Sequence, residues 1–206
     1  MKPLLVMCFI FFCAVINTQH SQAQGFEGKA IAGFSASQVD GDQTWGYNLV
    51  RPLAGLGGGF YLGKRTEIQL EIIYNIKGAG AARNQPYINS RLTYVDMPVL
   101  LNYFWDKKRR IVMQVGISVN YLLRARIDFT GWEYKDYTDK LSRLDYAFTA
   151  GAEYRFDDRW AINARYSYSF VPINFVDSNF LFTSAWFNNY ISFSIRYNFI
   201  NPAKNK

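Results

Sequence analysis

The chain has 206 residues, half of them hydrophobic, 18% aromatic and 19% charged, which is one domain's length and excludes an extended disordered chain. Its 23 Lys and Arg outnumber 16 Asp and Glu for a net charge of +7. That excess is not gathered into a nucleic-acid-binding block, and in an exported chain it suits anionic lipid headgroups.

Residues 1–23 read as a signal peptide. Lys2 is the basic start, and residues 4–16 are an unbroken apolar run of 13 residues. A membrane-spanning helix needs about 20. Ser21 and Ala23 are the small residues of a cleavage site, placed after Ala23. Cys8, Cys13 and His20, the only residues of their kinds, leave with this segment. Residues 24–199 then lack every Cys and His, which excludes disulfides, thiolate sites and a Ser-His-Asp triad. No cofactor or metal motif is present, so none is expected.

The remaining chain alternates in polarity with period two, the mark of strands. Residues 28–38 are weakly patterned, and residues 53–62 carry Gly55, Gly57, Gly58 and Gly59, which would relieve crowding inside a narrow barrel. Ile68, Leu70, Ile72, Tyr74 and Ile76 alternate with Glu67, Gln69, Glu71, Ile73 and Asn75. Residues 93–104 are apolar on both faces, and Pro98 predicts a bulge or irregularity there. Residues 111–123, 144–156, 160–170 and 191–199 each put apolar side chains on one face. Their other face holds small, polar or single charged ones. That makes eight strands of membrane-spanning length. Connections at 63–66, 106–110 and 157–159 are short. Those at 39–50, 78–89, 125–141 and 173–187 are long.

These features predict an all-β fold: an eight-stranded antiparallel transmembrane β-barrel with short periplasmic turns and longer extracellular loops. No apolar run after residue 23 is long enough for a membrane helix. Aromatics at strand ends (Tyr103, Trp105, Tyr154, Phe156, Trp160, Phe170, Tyr190, Tyr197 and Phe199) fit interfacial girdles. Residues 200–206 form a basic tail on the periplasmic side.

Two groups are candidates for function. Glu67, Glu71, Asp96, Asp145, Glu153, Arg155, Arg165 and Arg196 fall on inward positions. They read as a lumenal pathway, a carboxylate pair, or a structural ion-pair network filling a lumen only as wide as its side chains. Trp132, Tyr134, Tyr137, Phe180, Phe182 and Trp186 lie in long loops. They read as a protein interface, or as rings that extend the girdle or fold back over the barrel mouth.

The stretch Tyr94-Val-Asp-Met-Pro-Val-Leu-Leu-Asn-Tyr103 resembles the Pro-marked strand of the PorT-like outer-membrane β-barrel family of Bacteroidota. Gly116-Ile-Ser-Val-Asn-Tyr-Leu-Leu123 and Gly151-Ala-Glu-Tyr154 are similar to its next two strands, and Ala23-Gln24 resembles its signal end. The resemblance implies an outer-membrane barrel without enzymatic activity, a scaffold or surface-binding protein accessory to protein secretion. Its expected partners are outer-membrane lipid and other envelope or secretion proteins, not nucleic acid. A small lipid-active enzyme and a small-solute channel stand as alternatives on the same barrel.

Overall fold

The computed structural model describes residues 26–80, 88–174 and 184–200. The expected signal peptide, Phe180, Phe182 and residues 201–206 of the tail lie outside them. Nine strands are present among the described residues: β1 (Phe26–Asp40), β2 (Leu49–Tyr61), β3 (Thr66–Lys77), β4 (Asn89–Phe104), β5 (Ile111–Asp128), β6 (Lys135–Asp136), β7 (Leu144–Arg155), β8 (Trp160–Ser169) and β9 (Phe187–Ile200). Eight pair antiparallel in a ring in which β1 meets β9 and β4 meets β5, while the two-residue β6 only adds to the edge of β5. Closure pairs the backbone of every barrel strand on both sides, which a lipid environment demands.

The alternation sorts the side chains. Leu56, Ile72, Leu101, Ile117, Phe148, Ile162 and Ile195 stand exposed on the outer wall. Their positional neighbours turn polar groups into the interior. In water such an apolar wall would be unstable; in lipid it is the favourable arrangement. Aromatic pairs ring the end with short turns: Phe26 with Phe60 at 5.0 Å, Trp160 with Tyr197 at 4.9 Å and Tyr154 with Phe156 at 5.5 Å between ring centroids. Tyr146 with Phe170 and Tyr168 with Phe187 mark the other end. Tyr190 is not part of a girdle. It sits on the inward parity of β9 and is buried in the lumen.

The short turns are fixed by local acceptors. Asp106 Oδ1 takes the Ile111 amide at 2.8 Å, and Asp157 Oδ1 takes those of Arg159 at 2.7 Å and Trp160 at 2.8 Å. Arg109 has a left-handed backbone (φ 55°) and donates to the Lys64 carbonyl of the adjacent turn at 2.8 Å.

Pro98 produces no bulge. Its pairing with Ser118 on β5 is in register, and the irregularity is a gap on the β3 side, where the ladder passes from Leu70–Val99 to Ile73–Asp96 without a shift. A missing amide removes hydrogen bonds without displacing the strand. The bulge lies higher, between Thr93 and Tyr94 against β5, where Leu123 is the extra residue. Ile200 belongs to β9 rather than to a tail and pairs with Gly28.

Candidate functional site

The interior is stacked in three tiers. The lowest, nearest the short turns, holds four carboxylates (Glu27, Glu67, Glu71 and Glu153) and four cations (Lys29, Arg155, Arg165 and Arg196), all buried. Arg165 grips Glu71 with two bonds of 2.6 and 3.2 Å, and Arg196 Nη1 lies 3.0 Å from both Glu71 and Glu153. Arg155 reaches Glu153 at 2.9 Å and Glu27 at 3.1 Å, with Glu67 at 3.6 Å. Lys29 lies 3.6 Å from Glu27 and 3.7 Å from Glu67 and donates to Gln69 at 2.8 Å. A girdle of amides completes the tier. Asn102 donates to Gln69, Gln114 to Asn102, and Asn163 to Gln114. Tight geometry and extra hydrogen bonds are what allow buried charges to be tolerated. Gly57 and Gly59 make the room: a β-carbon at Gly57 would press on Lys29 and Glu71, and one at Gly59 would collide with the Glu67 carboxylate.

The middle tier centres on Lys77. Its ammonium is 2.7 Å from Asp96 and 3.7 Å from Asp145, and it lies over the rings of Tyr94 and Tyr190 at 4.6 and 4.8 Å. Asp145 accepts from Ser169 at 2.6 Å, Asn188 at 2.9 Å and Asn120 at 3.1 Å; Asp96 accepts from Asn75 at 3.0 Å and Tyr190 at 3.3 Å.

The top tier is apolar. Val39, Leu92, Tyr94, Leu122, Ala125, Ile127, Leu141, Ile173 and Trp186 pack into one cluster at the end with long loops. Loop hydrogen bonds hold it down. The Trp186 amide donates to Asn174 Oδ1 at 2.7 Å, that of Ile173 to the Trp186 carbonyl at 2.8 Å, and that of Ser142 to the Ile173 carbonyl at 2.7 Å. At the opposite mouth the Arg109 guanidinium lies over Tyr61 and Phe104 and lines, with Tyr61 and Arg155, a cavity of about 280 Å³.

The structure therefore brings Glu67, Glu71, Glu153, Arg155, Arg165 and Arg196 into one network and Asp96 and Asp145 into another. Reading the sequence alone missed Glu27, Lys29 and Lys77, which hold these networks together; Glu27 and Lys77 continue the inward parity of their strands just beyond the predicted limits, and Lys29 sits in the weakly patterned start of the first strand. The loop candidates separate. Trp132 is 91% exposed, and Tyr134 lies under the Arg91 guanidinium at 4.4 Å. Trp186 is only 2% exposed and so is not part of an exposed interface, and the half-buried Tyr137 packs against the same apolar cluster: the open barrel mouth offers apolar surface that these rings cover. Among the described residues no group of three or more Asp, Glu, His or Cys is arranged to hold a metal ion.

A closed antiparallel sheet, apolar outside and polar inside, girdled at both ends and with its long loops at one mouth, defines a transmembrane β-barrel of the outer membrane. The chain belongs to the outer membrane protein beta-barrel domain family, which it matches over residues 19–174. Among solved structures it is similar to Ail, the attachment invasion locus protein of Yersinia pestis, with 14% identity and a TM-score of 0.52 over 85% of this chain and 99% of that one. It is also similar to Neisserial surface protein A, with 14% identity and a TM-score of 0.48 over 85% of this chain and 97% of that one. The likeness to Ail shows the shared fold. No curated protein sequence matches the chain.

Proposed function

We propose that this protein is a non-enzymatic scaffold of the outer membrane that presents its loop after β5 to another envelope protein, in a role accessory to protein secretion. The observation that carries the reading is Trp132, 91% exposed on a loop with a pinned backbone. Asp128 Oδ1 accepts the amides of Thr130 at 2.9 Å and Gly131 at 2.8 Å. Asp136 accepts the amide of Thr138 at 3.0 Å and its hydroxyl, and these bonds hold the Asp136 carboxyl below the ordinary aspartate value. A large ring on an ordered loop binds with less entropy to lose than one on a free loop. The lumenal charges, each facing a counter-charge, serve to keep the barrel filled. The secretion role itself rests on the PorT-like strand motifs.

The test is deletion of the gene, with secreted and surface proteins compared by mass spectrometry. Loss of exported proteins with precursors trapped in the periplasm is expected, restored by the wild-type gene and not by Trp132→Ala. An unchanged profile overturns the secretion role; full rescue by Trp132→Ala overturns the assignment of the loop.

A further inference from the structure

On the outer wall between β4 and β5 the apolar face ends at one level. Along β5 the lipid-facing side chains run Ile111, Met113, Val115, Ile117, Val119, Tyr121 and Leu123; along β4 they run Tyr103, Leu101, Val99, Met97 and Val95. The next outward positions are Arg124 and Arg126 on β5, and Thr93 and Arg91 on β4. Strands rise about 3.3 Å per residue, so these guanidiniums begin within one or two residues of the apolar edge, at headgroup level. The long loops beside them place this level in the extracellular leaflet.

Arg91 and Arg126 are direct cross-strand partners, and Arg124 is two positions along on the same face, opposite Thr93. Like charges directly opposite destabilise a strand pair. Little on the protein offsets this. Asp136 on β6 is 3.3 Å from Arg124, and Arg91 stacks on Tyr134. Asp136 is also the direct cross-strand neighbour of Arg126 on β6, but its ion pair is with Arg124, and no ion pair to Arg126 is present among the described residues. Glu133 and Lys135, either side of Tyr134, carry opposite charges. Three guanidiniums thus share one carboxylate at the depth where lipid phosphates lie.

We propose that Arg91, Arg124 and Arg126, walled by Tyr134, bind the phosphate group of an anionic lipid headgroup in the extracellular leaflet. The guanidinium fork matches phosphate oxygens two at a time, and a dianionic group would turn the Arg91–Arg126 repulsion into a shared attraction. The site shares the loop after β5 with Trp132 through Tyr134 and Asp136, but it does not rest on the role proposed for Trp132.

The experiment uses the purified full-length protein, its Arg91→Gln/Arg126→Gln variant, and a Lys107→Gln/Lys108→Gln control that removes the same charge from a periplasmic turn. Each is titrated with diphosphoryl lipid A, with phosphatidylcholine and with inorganic phosphate, and bound species are counted by native mass spectrometry alongside thermal unfolding. Wild type and control are expected to retain lipid A and to be stabilised by it. The arginine variant should bind it at least about tenfold more weakly. In lipid-free detergent that variant should unfold no earlier than wild type, because its strand pair is relieved of like charge. Equal retention by the arginine variant, an equal loss in the control, or equal retention of phosphatidylcholine overturns the proposal. Uptake of inorganic phosphate without preference for the lipid assigns the cluster to free phosphate and also overturns it.

Discussion

Glu71 accepts from two guanidiniums at full burial, so its charge holds a pair of cations that no water reaches. Removing one member of such a set strands the others, which costs more than the set itself contributes. Glu71→Gln is expected to lower stability by about 3–5 kcal/mol in urea titrations of the folded barrel, with Arg165→Met in the same background recovering part of the loss. Asp42, in the loop between β1 and β2, is the opposite case. Oδ1 accepts from Thr44 N at 2.8 Å and Thr44 Oγ1 at 2.7 Å, but Oδ2 is buried without a partner. Burial pushes its carboxyl up to about 6. The folded loop therefore holds its proton over a range where the unfolded chain has lost it. Stability is fully present below the ordinary aspartate value and falls as pH rises through about 6. Asn cannot ionise and keeps the Oδ1 acceptor. Asp42→Asn should slow hydrogen exchange of amides 41–48 at about pH 7.5 and leave it unchanged at about pH 4. Equal exchange at both pH values would show that the carboxylate is solvated.

At the scale of the strand, legibility depends on which solvent each face meets. Where a strand crosses lipid, the outer residues must be apolar and the inner ones polar, and the alternation of residues 160–170 makes β8 readable almost to the residue. Above the membrane the two environments exchange. Outside is water and inside is the apolar plug, so β5 carries Arg124 and Arg126 outward but Leu122, Ala125 and Ile127 inward. The bulge at Leu123 is where the phase changes, and a reading that follows one phase ends the strand at residue 123 when it continues to Asp128. Residues 93–104 look apolar on both faces because Tyr94 joins the plug, Phe104 stacks on Tyr61 at the opposite mouth, and Pro98 and Leu100 lie between, so that only Asp96 and Asn102 mark the inner face as polar. Glu27 and Lys29 were hidden differently. They lie beside Gly28, where a missing side chain interrupts the alternation, so the strand's beginning carries no clear period. For Trp186 the sequence left two readings open, an interface ring or one folded back over the mouth, because the choice depends on a contact between distant parts of the chain.

Across the whole molecule the three tiers act in series. An eight-stranded barrel is just wide enough for its own side chains. Here the lowest tier spans it with Arg155, Arg165 and Arg196 reaching carboxylates on other strands, the middle one with Lys77 between two aspartates, and the top one with the cluster around Trp186. An ion crossing the barrel must displace paired charges twice and then enter a mainly apolar plug whose few polar groups are already hydrogen-bonded, where an unpaired charge is costly. Planar bilayers containing the wild-type protein should therefore show no steady conductance. Trp186→Ala should leave them silent as well, because the charged tiers remain closed beneath the thinned plug. Glu71→Gln should do the same from the other side, since the plug remains closed above the loosened network. Steady unitary currents from the wild-type protein would mean that the tiers open together, and the barrel would then have to be understood as a channel.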